Sequence, residues 1–317
     1  MISSRICELL GITYPVLQGG MAWISDGRLA AAVSEAGGLG IISAMNAEAG
    51  YLREQIRIAR KLTDKPFGVN IMLMSPFVAD IVNTVVEEGV AVVTTGAGSP
   101  GKHVAVMKDA GIKVVPVIAS TAMAKMAVRA GADAVIAEGQ ESGGHIGELT
   151  TMALVPQVCD AVDVPVIAAG GIADGRGMAA ALMLGACGVQ MGTRFLVAKE
   201  CSVHQAYKDM VLKANDVSTQ VTGRRFGGNT CRGIKNQFSR NFIKAEYDPE
   251  ATAESVAMLG AGALRRAAVE GDTVNGSFLA GQISGLVKEE MPAADIIRSV
   301  CSECEMLLEK SSKIWVR

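Results

Sequence analysis

The sequence predicts an α/β fold: a (β/α)₈ TIM barrel with a small inserted subdomain between the last strand and its helix. Three observations carry this prediction. Eight short apolar runs recur through the first two-thirds of the chain, and helix-like stretches separate them. The runs are near-continuous rather than alternating, as expected of parallel strands covered by helices on both faces. Short strand–helix units repeated in this order build a parallel sheet, and eight of them close a barrel.

The strand-like runs fall at residues 15–18, 39–43, 67–73, 90–95, 112–118, 132–137, 165–169 and 187–191. Between them, residues 27–36, 49–62, 76–88, 102–110, 121–130, 151–161 and 174–184 place apolar side chains at helical spacing. Gly37, Gly89, Gly111, Gly131 and Gly185 stand where helices end. A doubly wound open sheet is the alternative. It would normally give way to a second class of domain after about six strands, and none is seen before residue 195.

After Phe195 the rhythm breaks. Residues 200–252 show no clear strand, and an amphipathic stretch over 254–270 then resumes as a candidate for the eighth barrel helix. The expected organisation is residues 1–199 for the strands and first seven helices, 200–252 for an inserted, substrate-covering subdomain, and 253–317 for the last barrel helix and a closing segment.

Composition excludes several classes. Half of the 317 residues are hydrophobic and aromatics are only 4%, so the core is built from aliphatic side chains. A formal net charge of −2 gives no general attraction to nucleic acid or anionic membranes. No uncharged run exceeds 17 residues; residues 177–193 reach that length, interrupted by Gly185, Gly188 and Gly192, short of a membrane span. No secretory leader is read at the amino end. Seven cysteines without disulfide-like spacing suit a reducing, cytoplasmic setting. Cys301 and Cys304 form a lone C-x-x-C within a helical stretch and read as packing or surface positions.

A barrel keeps its chemistry at the carboxyl ends of its strands. Those ends carry Gln18-Gly19-Gly20-Met21-Ala22, Asn70, Glu138, Gly170-Gly171 and Gly192-Thr193. Bare glycine backbone there lets something large and flat approach. The turns after the seventh and eighth strands are where barrels commonly hold a phosphate. Asp174 is placed to cap the following helix, and Thr193 adds a hydroxyl. Read only as structure, these glycines serve tight turns; their position after those two strands favours the phosphate.

The sixth strand spills into Glu141-Ser142-Gly143-Gly144-His145-Ile146-Gly147-Glu148. His145 is one of three histidines and stands where proton transfer is needed. A satisfied or surface histidine is the plainer alternative. His103 and His204 read as structural, and the three histidines show no metal-ligand spacing. The run Gly96-Ala97-Gly98-Ser99-Pro100-Gly101 matches a dinucleotide fingerprint, but the acidic residue expected about 20 positions on is missing. Residues 219–245 hold no Asp or Glu. There Arg224, Arg225, Arg232 and Lys235 read either as a solvated basic face or as contacts to the phosphates of NADPH or of an acyl carrier.

These motifs resemble the bacterial flavin-dependent enoyl-[acyl-carrier-protein] reductase II, within the wider nitronate monooxygenase-like barrel family. The resemblance runs through nearly the whole chain. It rests on Gln18-Gly19-Gly20-Met21-Ala22-Trp23, Ala36-Gly37-Gly38-Leu39-Gly40, Lys65-Pro66-Phe67-Gly68-Val69-Asn70, Glu141-Ser142-Gly143-Gly144-His145, the segment from Ala168 to Gly175, and Gln190-Met191-Gly192-Thr193-Arg194-Phe195. It implies a barrel holding FMN without a covalent bond. Gly20, Met21, Ala22, Asn70, Glu138, Gly143, Gly144 and Met191 would meet the flavin or its ribityl chain, and Gly170, Gly171, Gly192 and Thr193 its phosphate.

The implied reaction passes a hydride from NADPH or NADH, by way of FMN, to a trans-2-enoyl thioester on acyl carrier protein. His145 would polarise the carbonyl or supply a proton. The resemblance also implies a homodimer and stimulation by a monovalent cation, with a nitronate monooxygenase as the alternative activity. Gly227-Gly228-Asn229-Thr230-Cys231 departs from the pattern expected of the reductases.

Overall fold

The computed structural model describes residues 4–45, 47–98, 101–227 and 230–311. Apolar runs become short strands: β1 (Val16–Gln18), β2 (Ile41–Ser43), β3 (Gly68–Met72), β4 (Val92–Gly96), β5 (Lys113–Ile118) and β6 (Val135–Glu138). The pair β7 (Gly144–His145) lies outside the barrel, which continues with β8 (Val166–Ala169) and β9 (Gly188–Met191). Eight strands pair in the order β1-β9-β8-β6-β5-β4-β3-β2, and each ladder is parallel. A parallel bridge between Leu17 and Leu39 joins the two ends, so the chain folds as a (β/α)₈ barrel.

Each predicted strand lies where its apolar run lies, because a strand buried on both faces must be apolar throughout. Helices Ala49–Leu62 and Thr151–Ala161 keep the bounds that their apolar spacing predicts. The helix Arg5–Leu10 packs Ile6, Cys7 and Leu10 among the inner barrel residues Leu17, Ile41, Val92, Val115, Ile136 and Ile167. The barrel interior is therefore a filled core, leaving the opposite end of the strands for a site.

Two features differ from the sequence expectation. First, residues 200–252 do contain strands: β10 (Thr219–Thr222) and β11 (Cys231–Ile234) form an antiparallel pair, and β7 adds to β11 as a third strand. Their mixed polar sequence hides them, since β10 is partly buried throughout and β11 alternates partly buried with buried positions.

Second, residues 254–270 do not form the eighth barrel helix. The stretch breaks into Ala253–Gly260, Ala263–Arg265 and a π-turn over Arg266–Glu270, with Gly262 and Gly271 both at positive φ. The eighth position belongs to Ala293–Ser311, which packs against Gly175–Met183 and Gly27–Glu35. It buries Ala293, Ile296, Ile297, Val300, Cys301 and Cys304, a continuous helical stripe. Gly175 permits this approach, because a Cβ there would lie 2.5 Å from the Cys304 nitrogen. Cys301 and Cys304 are thus packing residues, both unbridged. No helix among the described residues is long and apolar enough to cross a membrane.

Candidate active site

A cavity of about 480 Å³ opens at the carboxyl ends of the strands. Its wall takes in Gly20, Met21 and Ala22 after β1, Asn70 on β3, Glu138 on β6, and Gly143, Gly144 and His145 in the following loop. Gly170 and Gly171 after β8, Met191 at the end of β9, and Gly192 and Thr193 beyond it complete the same wall. The structure therefore brings together every residue predicted to meet flavin or its phosphate, with His145 beside them.

Local chemistry fixes these positions. The Thr94 hydroxyl donates to Asn70 Oδ1 at 2.9 Å, which leaves the amide NH₂ as the free donor end. Gly20 passes so close to this side chain that a Cβ would lie 2.4 Å from Asn70 Cβ. Gly170 and Gly171 turn the chain with φ of +86° and +74°, a conformation other residues rarely adopt. The Thr151 hydroxyl donates to the Gly170 carbonyl at 2.9 Å, and the Glu141 carboxylate accepts the Thr151 N–H at 2.9 Å. Thr193 Oγ1 accepts the Gly281 N–H at 2.9 Å, so the segment near residue 281 walls the cavity beside Thr193. Asp174 caps the helix Gly175–Met183 through the Arg176 and Gly177 N–H groups, as its position predicts.

Two groups carry unmet polarity. Burial pushes the Glu138 carboxyl up to about 7, and the neighbouring Ser142 hydroxyl offsets part of this. Ser142 Oγ is itself buried without a hydrogen-bond partner of proper geometry among the described residues. Native buried polar groups are nearly always satisfied, so such an orphan points to a ligand. Backbone strain gathers here too: Met45 and Ala97 line the cavity with φ of +54° and +52°.

His145 sits on β7, directly opposite Cys231 of β11, and its side chain is exposed. The other histidines are elsewhere. His204 Nδ1 accepts the Ala206 N–H at 3.1 Å as a helix cap, and His103 lies half-buried on the helix Gly101–Asp109. The basic residues of the insertion are not brought to the cavity wall. Arg225 donates to the Glu246 and Asp248 carbonyls at 2.8 and 2.6 Å, and Arg232 is buried. Arg224 and Lys235 are exposed. Of the departing segment, Gly228 and Asn229 lie outside the described residues.

Sequence reasoning missed Ser142, Leu264, Leu279, Gly281 and Ile283 as wall residues. Gly281-Gln282-Ile283-Ser284-Gly285 is a small-residue turn, and its two glycines were the available signal.

The cavity is paved with glycine at the strand ends and edged by one histidine. The model of the nitronate monooxygenase family matches residues 3–303. The chain belongs to the nitronate monooxygenase family. FabK from Thermotoga maritima is 49% identical, with a TM-score of 0.96, covering 99% of this chain and 100% of that one. A nitroalkane oxidase from Streptomyces ansochromogenes is 30% identical with a TM-score of 0.86, covering 96% and 99%. The (3aS,4S,5R,7aS)-5-hydroxy-7a-methyl-1-oxo-octahydro-1H-indene-4-carboxyl-CoA dehydrogenase of Mycobacterium tuberculosis is 34% identical over 99% of each chain.

Members of this family are FMN-dependent oxidoreductases. The residues present fit that group. Among the described residues a Cβ at Gly144 would meet nothing within 4 Å, and one at Gly192 only the Met21 side chain, at 3.6 Å or more, so at these two positions the wall faces open space. Orphaned Ser142 Oγ and the Asn70 amide supply polar partners within a mostly apolar cavity.

Proposed function

We propose that the protein reduces the carbon–carbon double bond of trans-2-enoyl-[acyl-carrier-protein], drawing the hydride from NADPH or NADH. The similarity to FabK, an enoyl-[acyl-carrier-protein] reductase II, over the full length of both chains carries this reading. The Mycobacterium tuberculosis relative adds weight, since its name also specifies an acyl thioester, there of coenzyme A.

In this reading Gly20, Met21, Ala22, Asn70, Glu138, Gly143, Gly144 and Met191 hold the flavin and ribityl parts of FMN, and Gly170, Gly171, Gly192 and Thr193 its phosphate. When bound, FMN supplies the hydride-transfer chemistry that no side chain can. The chain's own share is orientation and proton control. His145, on the cavity wall, hydrogen-bonds the thioester carbonyl or delivers the proton to the α-carbon. Residues 200–252 cover the substrate end, since β11 is paired to the strand that carries His145.

The test is anaerobic stopped-flow of the yellow protein. NADPH or NADH bleaches the flavin bands, and a crotonyl thioester restores them. His145→Ala keeps the colour and the bleaching but slows the restoration by about 10²-fold or more. Family membership and the nitroalkane oxidase likeness favour one second reading, a nitronate monooxygenase. Rapid reoxidation by oxygen with an alkyl nitronate, and no response to the enoyl thioester, would establish it instead. No bleaching and no turnover would leave a flavin-binding protein without this chemistry.

A further inference from the structure

A two-residue strand cannot hold its own position. β7 is held from outside: Cys231 pairs with His145 and Arg232 with Gly144, while the Ile146 N–H donates to the Thr230 carbonyl at 3.0 Å. Across β11, Thr222 pairs with Cys231 and Val221 with Arg232. Paired residues share a face and successive residues alternate. His145, Cys231 and Thr222 thus form one row, and Arg232 projects from the opposite face.

Arg232 is 6% exposed. Its Nε donates to the Gln140 carbonyl at 3.0 Å and Nη1 to Thr219 Oγ1 at 3.3 Å. No carboxylate lies within ion-pair distance of it among the described residues, and burial lowers its affinity for its proton. Burying a cation against neutral oxygens is costly. One of those oxygens belongs to the residue that opens the His145 loop. The loop is therefore pinned at both ends by one hairpin strand, at Gln140 through Arg232 and at Ile146 through Thr230.

The hairpin is fixed in turn. The Glu246 carboxylate, 1% exposed, accepts the Gly223 N–H at 3.0 Å and the Arg225 N–H at 2.6 Å. At the other end the Ile234 N–H donates to the Phe278 carbonyl at 2.7 Å, and Gly233 bridges Leu279 of the cavity wall.

We infer that Arg232 is a positioning residue: its guanidinium clamps the Gln140–Ile146 loop to the inserted hairpin and so sets where the His145 imidazole stands, with Glu246 holding the hairpin in register. This rests on the proposed role of His145. It replaces the reading of Arg232 as a phosphate contact, which needs an accessible guanidinium.

The experiment uses the FMN-loaded protein with Arg232→Met, Arg232→Lys and the double variant Arg232→Met with His145→Ala. At saturating FMN the rate of bleaching by NAD(P)H stays within about twofold of the parent, while kcat for the enoyl thioester falls by about 10²-fold, the cost of roughly 1 Å of misplacement. KM for the thioester and for NAD(P)H is unchanged. Arg232→Lys is no better than Arg232→Met, because a point charge cannot replace the fork. The double variant loses no more than His145→Ala alone, as two residues acting through one group require.

A raised KM with kcat retained would restore the phosphate reading and overturn the inference. So would losses that multiply in the double variant. Should Arg232→Met fail to fold, Glu246→Gln takes its place, with the same kcat-only, non-additive loss expected. No reoxidation of the parent's flavin by the enoyl thioester would sink the function itself; full activity in His145→Ala would remove His145 from the mechanism and this inference with it; a crippled His145→Ala beside a fully active Arg232→Met sinks only this inference.

Discussion

The Gln18 side chain bonds both peptide groups of Ile41: Oε1 accepts the Ile41 N–H at 3.1 Å, and Nε2 donates to the Ile41 carbonyl at 3.3 Å. It does so at the seam of the barrel. Backbone pairing between the first two strand segments runs only as far as Leu39, which bonds Val16 and Gln18. Beyond it a side-chain amide serves as the missing rung, fully buried. Gln18→Leu keeps the volume but strands two buried peptide groups, at about 1–3 kcal/mol each. Unfolding of the apoprotein in urea then shows a loss of about 2–4 kcal/mol. A loss of a few tenths would mean that water or a shifted strand replaces the rung.

Two glycines of the same wall separate fold from cofactor. At Gly20 a Cβ would lie 2.4 Å from Asn70 Cβ, so Gly20→Ala destabilises the apoprotein by about 1–3 kcal/mol through overpacking. At Gly192 the nearest contact would be Met21 Sδ at 3.6 Å, and the backbone φ of −106° suits alanine. Gly192→Ala therefore leaves the apoprotein melting temperature unchanged, yet weakens FMN binding by about tenfold or more, equivalent to ~1.4 kcal/mol of crowding. Fluorescence titration of apoprotein with FMN reads the second effect. Unaltered affinity would remove Gly192 from the phosphate cradle.

The barrel was legible because its strands are buried on both faces. Runs such as Val166–Ala169 must then be apolar at every position, and helix Ala49–Leu62 shows its buried face at Leu52, Ile56 and Ala59. The site was legible because strand ends in a barrel converge, so Asn70, Glu138 and Gly192 meet although far apart in sequence. The hairpin was not. Gln220, Thr222, Cys231 and Arg232 take their strand conformation from pairing with one another and with His145, a tertiary fact without a local pattern. Arg232 misled for a related reason: arginine is normally exposed, and only the fold reveals that this one is buried. Residues 254–270 kept a helical period, but Gly260 and Gly262 interrupt the backbone.

A half-buried ion pair ties the insertion to the segment that leads into the last barrel helix. Lys208, 4% exposed, donates to the Ala198 carbonyl at 2.8 Å and to Glu290 Oε1 at 2.7 Å. Burial opposes ionisation of Glu290, but the Lys208 ammonium outweighs it and holds the carboxyl below its usual range. A depressed carboxyl stabilises the fold above its unfolded pKa and loses that contribution as pH falls through the folded value. Glu290→Gln should cost about 1–3 kcal/mol at pH 7, below the loss typical of a fully buried pair because Glu290 is partly exposed. The gap between parent and variant should close as the solution is taken well below pH 4.5, the carboxyl's ordinary value. Urea unfolding at three pH values checks both, and a gap that persists in acid would refute the ionic origin.

Glu138 runs the other way. Its carboxyl is pushed from 4.5 up to about 7 by burial, so the fold prefers the neutral form. A raised acid contributes stability that is complete below pH 4.5 and fades as pH climbs toward 7, by about 3 kcal/mol at 1.36 kcal/mol per unit. Glu138→Gln mimics the neutral form at every pH. The apoprotein variant should match the parent at pH 4.5 and exceed it by about 2–3 kcal/mol at pH 8. The same neutral carboxyl is a hydrogen-bond donor within the cavity wall, which an ionised one is not. FMN affinity of the parent should therefore weaken across pH 6–8 while that of Glu138→Gln stays level. Parallel curves for the two proteins in both measurements would show that the carboxyl titrates as it does in water.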